Sequence, residues 1–220
     1  MLRRPILLKN LRDPVDYSEA IAHLSEADST LAQLIERVGQ CHLDEAQHTG
    51  DLLHSLSRTI IHQQLSIKVA ATIHCRFLQI YAPHPYPTAD LILSTSDETL
   101  RGAGISRSKI IYLKDLAQNI IDGLPDVDEL AILDDETIID ILTQVKGIGR
   151  WSAQMLLIFR LHRLNVLPTD DLGVRTGIRI LYKLNELPNK KTVERIGQLW
   201  RPYCSIAAWY LWRSLDMTQP

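Results

Sequence analysis

The chain has 220 residues, 45% hydrophobic and 23% charged, with a formal net charge of -2 at pH 7. That length holds one sizeable core or two small helical lobes, and the composition is that of an ordinary globular protein. No apolar run approaches the roughly 18 residues of a membrane span, and the apolar part of the N-terminal segment, Ile6 to Leu8 before Lys9, is too short for a signal peptide. Cys41, Cys75 and Cys204 form no close pair. Their spacing argues against a zinc site, an iron–sulfur cluster or a disulfide framework, and for a reducing compartment: the cytoplasm, or the nucleus of a eukaryotic cell.

Taken in order, residues 1–16 read as irregular, with Pro5 and Pro14 as breakers. A helix is predicted from Asp16 or Ser18 through Ala20, Ile21 and Leu24. A second, capped by Asp28 or Ser29, carries Leu31, Leu34, Ile35 and Val38 on one face and stops at Gly39. Residues 40–50 read as loop. From Asp51, the apolar faces Leu52-Leu53-Leu56-Ile60 and Val69-Ala70-Ile73-Phe77 predict two helices. The polar turn His62-Gln63-Gln64-Leu65-Ser66 divides them, with Ser66 as cap. Pro83, Pro85 and Pro87 make a stiff connector, followed by short helices starting at Thr88 and at Thr95 or Ser96. The run Gly102 to Lys109 is a Gly- and Ser-containing turn feeding a helix through Ile110, Leu113, Leu116 and Ile120, and its first-turn amides suit an anion. A helix is expected near Thr137 to Val145, one through Val193, Ile196 and Leu199, and a last one capped by Ser205 that carries Trp209, Tyr210 and Trp212. Strand alternation is missing throughout, so the predicted class is all-α; there is no GxGxxG after a strand, no P-loop and no HExxH.

Charge is unevenly spread. Residues 122–140 hold eight acids and no Lys or Arg, whereas residues 142–183 hold seven bases against Asp170 and Asp171. One strongly positive face on a near-neutral protein is therefore expected, as a DNA duplex requires. In the basic stretch, Gly147-Ile148-Gly149 permits a hairpin between helices, with Ile148 as a plug. The helix that follows starts at Arg150, and its amides, flanked by Lys146 and Arg150, suit a phosphate. Such a contact reads backbone and carries no base information. A lone GxG says little; Leu142-x4-Gly-Ile-Gly-x2-Ser152-Ala153 says much more. Asp170 and Asp171 head the next helix, where one acid can cap while the other does chemistry. A single carboxylate suffices for a glycosidic bond when the leaving group is already cationic. It stabilises an oxocarbenium-like sugar and orients or deprotonates water.

These stretches, with Ile60 to Ser66, Gly102 to Lys109, Asp170-Asp171-Leu172-Gly173-Val174 and Trp200-x-Pro-Tyr-x-Ser to Trp212, resemble the helix-hairpin-helix-Gly/Pro-Asp superfamily of DNA glycosylases. Within it the chain is similar to the AlkA and yeast-type DNA-3-methyladenine glycosylases. The resemblance implies a bilobal helical fold without the extra N-terminal β domain. Its central lobe spans about residues 60–170, segments 1–59 and 171–220 form the second, and double-stranded DNA lies across the cleft. It implies that Asp171 is the catalytic aspartate and that Trp151, Met155, Phe159 and Trp212 line the base pocket. Gln64 and Leu65 match the wedge that replaces the flipped nucleotide. Arg107, Ser108, Lys109, Gly147, Gly149, Arg150 and Ser152 match DNA contacts. The carbonyls of Thr143, Val145 and Ile148 match a seat for a monovalent cation, Na or K; no other cofactor is implied.

Trp151 stands where bifunctional relatives carry a Schiff-base lysine, so the resemblance implies monofunctional excision of 3-methyladenine and 7-methylguanine, by a monomer, without strand cleavage. Stacking suits such cationic purines. Three departures follow. Met155 replaces a pocket tyrosine of AlkA, Cys204 sits where a basic residue is frequent, and the cysteine cluster of the iron–sulfur branch is missing. A helix-hairpin-helix protein that binds damage without excising it, and an oxidised-base glycosylase/lyase, are the alternatives.

Overall fold

The computed structural model describes residues 15–45 and 50–217; the N-terminal apolar run Ile6 to Leu8 and the irregular course expected up to residue 14 lie outside them. Within the described residues the secondary structure is helical and there is no strand. The chain divides into two compact units, Met1–Ala46 with Thr169–Pro220, and Gln47–Pro168. The expected boundary at residues 59 and 60 lies too late. The helix Leu52–His62 packs on Arg107–Ile121 and belongs wholly to the Gln47–Pro168 unit.

The first unit opens with α1 (Ser18–Ala27) and α2 (Ser29–Val38). Asp28 caps α2, its Oδ1 accepting from the Thr30 and Leu31 amides at 3.0 and 3.1 Å. Gly39, at φ +82° and ψ -142°, a conformation open to glycine, follows the last residue of the helix. The loop that follows contains a 3-10 turn over Leu43–Glu45, which the sequence pattern did not suggest.

The second unit runs α3 (Leu52–His62), α4 (Ile67–Gln79), α5 (Ala89–Ser94), α6 (Asp97–Gly102), α7 (Arg107–Ile121), α8 (Val127–Ala131), α9 (Asp135–Leu142) and α10 (Arg150–Phe159). Side-chain oxygens at Asp51, Thr88, Ser96, Ser106, Asp126 and Asp134 each take a first-turn amide, which fixes where these helices start. The short α8, which the sequence pattern does not suggest, is marked by a capping box of Asp126 and Glu129. The helix α9 begins before Thr137, because Asp134 is its cap, and ends at Leu142, short of Val145. Leu56, Ile60, Ile61, Phe77, Leu113, Leu116, Leu142 and Leu157 form the core, all fully buried.

The chain then returns to the first unit with α11 (Leu172–Leu181), α12 (Lys190–Gly197) and α13 (Cys204–Asp216). Gly177 lets α11 approach α13: a Cβ there would lie 3.0 Å from both the Cβ and the carbonyl oxygen of Leu211. The last helix starts at Cys204, not after a Ser205 cap, and Ser205 is fully buried. Trp200 and Trp209 are core. The Trp200 indole donates to Asp28 Oδ2 at 3.0 Å and the Tyr182 hydroxyl bonds the same oxygen, so one buried carboxylate ties α2 to distant segments of its unit.

Candidate active site

The acidic pair heads α11 in the first unit. Asp171 is its N-cap, in extended backbone, and is 8% exposed. Its Oδ1 accepts the Val174 amide at 2.7 Å and the indole N–H of Trp212 at 2.8 Å. Asp170 is half-exposed and pairs with Lys190 at 2.5 Å. Of the two acids it is therefore Asp171, the one the resemblance singles out, that caps the helix. Gly173 makes the indole contact feasible. A Cβ at residue 173 would lie 2.8 Å from Trp212 Cδ1 and 3.0 Å from both Trp212 Nε1 and Asp171 Oδ1. Nothing in the sequence shows what a side chain at residue 173 would strike.

The hairpin belongs to the second unit. Thr143 closes α9, the Ile148 amide donates to the Val145 carbonyl at 3.1 Å, and Ile148 is buried as the plug. The two glycines differ. Gly147 is left-handed at φ +82°, and a Cβ on it would meet the Tyr112 ring at 2.3 Å. Gly149 is the N-cap of α10 at φ -93°, with nothing within 4 Å of a Cβ and no side-chain oxygen to cap the helix. Only Gly147 is required by the fold.

Beside the hairpin lies the α3–α4 turn. Gln63, which the sequence did not single out, donates from Nε2 to the Gly147 carbonyl at 2.8 Å and to Ser152 Oγ at 3.3 Å. Ser152 is thus buried beneath Gln63. Lys109 reaches the same turn: its ammonium donates to the carbonyls of Ile61 and Gln63 at 2.8 and 2.7 Å, the usual place of a cation at a helix C-terminus. Burial lowers the pKa of that ammonium. Gln64 follows at φ +58°, a strained conformation for a residue with a side chain, and is exposed with Leu65. Arg107 and Ser108 are exposed at the head of α7, Ser108 Oγ lying 3.1 Å from Ser106 Oγ. Trp151, Met155 and Phe159 recur every fourth residue and share one face of α10; Trp151 is 39% exposed and Met155 is buried.

The bases flanking the hairpin carry partners. Lys146 bonds Asp115 through its ammonium at 2.7 Å and its amide at 2.9 Å, and Arg150 makes a two-pronged pair with Glu136. The Arg150 guanidinium holds the Glu136 carboxyl below its ordinary range. Arg163 pairs with Asp135 at 3.3 Å. Two acids of the 122–140 segment, Asp135 and Glu136, thus pair with Arg163 and Arg150 of the 142–183 segment, whereas Lys146 takes Asp115. Among the described residues, no three His, Cys, Asp or Glu side chains are arranged to hold a metal ion.

Residues 57–202 match the HhH-GPD superfamily base excision DNA repair protein family. The chain belongs to that superfamily. It is 38% identical to DNA-3-methyladenine glycosylase 1 of Schizosaccharomyces pombe over 92% of its own length and 91% of that protein's. Its fold is that of the superfamily: a solved Schizosaccharomyces pombe 3-methyladenine DNA glycosylase, in complex with abasic DNA, superposes with a TM-score of 0.86 at 37% identity, covering 91% of this chain and 98% of that one. A DNA-3-methyladenine glycosidase from Bacillus halodurans superposes at 0.78 and 36% identity, covering 90% and 89%.

Proposed function

We propose that this HhH-GPD protein is a monofunctional DNA glycosylase that removes 3-methyladenine and 7-methylguanine from double-stranded DNA, acting as a monomer in the cytoplasm or nucleus. The observation that carries the reading is Asp171, a buried carboxylate held by two N–H donors at the head of α11, in a chain similar over nine-tenths of its length to a DNA-3-methyladenine glycosylase. The C1′–N bond breaks with its electron pair going to the base, which leaves neutral because alkylation had made it cationic. Asp171 stabilises the positive charge on the sugar and takes a proton from the water whose oxygen bonds C1′. The products are free base and an abasic site.

Trp151 has no amine, so no Schiff base forms at that position and the strand stays intact. Its exposed ring, with Met155 and Phe159 on the same face of α10, suits stacking on a cationic purine. The strained Gln64 and its neighbour Leu65, exposed on a braced turn, suit the wedge. Gly149, uncapped and unobstructed, suits a phosphate, with Arg107 and Ser108 as exposed contacts on α7. Lys109 and Ser152 serve by holding the α3–α4 turn and Gln63, and Arg150 reaches phosphate by exchanging Glu136 for it. The neutral carbonyl oxygens of Thr143, Val145 and Ile148 are the donor type a hard cation such as Na or K takes; the Val145 oxygen keeps one lone pair beyond its bond to Ile148.

The test is incubation of pure protein with methylated duplex DNA, followed by chromatography of released bases. Release of methylated purines, with no adduct trapped by borohydride, is expected. Tight abasic-site binding without release would reduce the protein to a damage binder, and a trapped adduct would make it a glycosylase/lyase.

A further inference from the structure

The indole of Trp212 was expected in the base pocket, yet its one polar group points at the carboxylate. Its N–H lies 2.8 Å from Asp171 Oδ1, and the Val174 amide reaches that same oxygen at 2.7 Å. Two N–H donors converging on one oxygen fix both the rotation of the carboxyl group and its plane, and charge-assisted bonds of this kind are roughly twice as strong as neutral ones. The contact exists only because residue 173 has no side chain, since a Cβ there would sit within 3.0 Å of both partners. Gly173 is not left-handed, so the reason for glycine at this position is space alone.

We propose that Trp212 and Gly173 act as one positioning device for Asp171: the indole N–H aims the carboxylate, and the missing Cβ keeps open the place where the indole reaches it. This rests on Asp171 being the catalytic carboxylate of a base-excising enzyme. It assigns Trp212 a role that stacking on a base would not require, because stacking uses the ring face and not the N–H. The device lies within one helix pair, α11 and α13, whose close approach Gly177 sustains at its middle.

The test is single-turnover excision from methylated duplex DNA, paired with affinity for duplex DNA containing an abasic site, for Trp212→Phe, Trp212→Leu, Gly173→Ala and the double variant Gly173→Ala/Trp212→Phe. Loss of a hydrogen bond to a charged group predicts that Trp212→Phe slows the chemical step by about 10- to 100-fold while abasic-DNA affinity stays within about 2-fold. Trp212→Leu should be no worse in rate than Trp212→Phe, and Gly173→Ala should match both. The double variant should equal either single, because partners acting through one contact do not add. Trp212→Phe at near wild-type rate with Trp212→Leu impaired would make the residue a stacking platform and overturn the proposal, as would additive losses in the double variant. A wild-type protein that releases no base would fail the glycosylase reading itself, a separate outcome from an active wild type indifferent to Trp212→Phe.

Discussion

At residue 171, cap and carboxylate are the same group, and that makes the choice of substitution decisive. Asn has an oxygen able to accept both the Val174 amide and the Trp212 indole, so Asp171→Asn keeps the cap and the neighbour while removing the charge. Asp171→Ala deletes the cap, which costs about 0.5–2 kcal/mol, and removes the oxygen to which the indole N–H donates. Asp171→Asn is therefore expected to lower excision by at least about 1000-fold, the scale of losing a transition-state charge partner, with thermal midpoint and DNA affinity near wild type; Asp171→Ala should lower the midpoint as well. Excision assays and thermal unfolding check both, and near-normal turnover by Asp171→Asn would move the catalytic role to another group. Asp170 is a poor substitute in this geometry, since it is half-exposed and committed to Lys190.

At the scale of the element, the hairpin separates what the fold needs from what a ligand needs. Gly147 combines a left-handed backbone with a Tyr112 ring that leaves no room for Cβ. Gly147→Ala should destabilise by about 2 kcal/mol or more, through strain and overpacking. Gly149 has an extended backbone and open space, the conformation that a Ser N-cap adopts. Gly149→Ser should thus hold or raise the thermal midpoint while weakening binding to duplex DNA of every sequence, because the hydroxyl occupies the approach to the helix amides. Retained DNA affinity in Gly149→Ser would remove α10 from the phosphate interface. Neither outcome follows from the Gly-Ile-Gly motif alone, which treats both glycines alike.

Across the molecule, a row of histidines links pH to stability. His54 and His62 on α3 flank His74 on α4, with ring centroids 5.3 and 5.9 Å from it, and the Tyr86 ring lies 3.9 Å from that of His54. One ring nitrogen of each histidine is buried without a hydrogen-bond partner among the described residues. Burial lowers all three pKa values, His74 to about 4, and Arg58 adds repulsion throughout, with Lys109 acting on His62 and Asp51 partly offsetting the effect at His54. Since each folded value lies below the unfolded one near 6.5, the unfolded chain binds the extra protons. The contribution of His74 is full above about pH 6.5 and falls as the pH drops toward about 4, by up to about 1.4 kcal/mol per pH unit, and His54 and His62 act in the same direction. Urea unfolding at pH 7.5 and pH 5 should show the loss, and His74→Phe should flatten it; an unchanged slope in that variant would mean that other groups dominate.

The sequence by itself determined the all-helical class, most helix starts and the hairpin. Helix caps such as Asp28, Thr88 and Ser106 act within three residues of themselves, so a local reading suffices for them. The resemblance, more than periodicity, singled out Asp171 over Asp170. Only the tertiary structure decided that Trp212 donates to that aspartate from 41 residues away, that Gln63 and Lys109 brace the α3–α4 turn, and that Asp115 and Glu136 engage the bases beside the hairpin. These partners are chosen by how helices pack, and packing depends on many side chains at once. A residue's type shows what it can bond; its neighbours across the fold decide what it does bond.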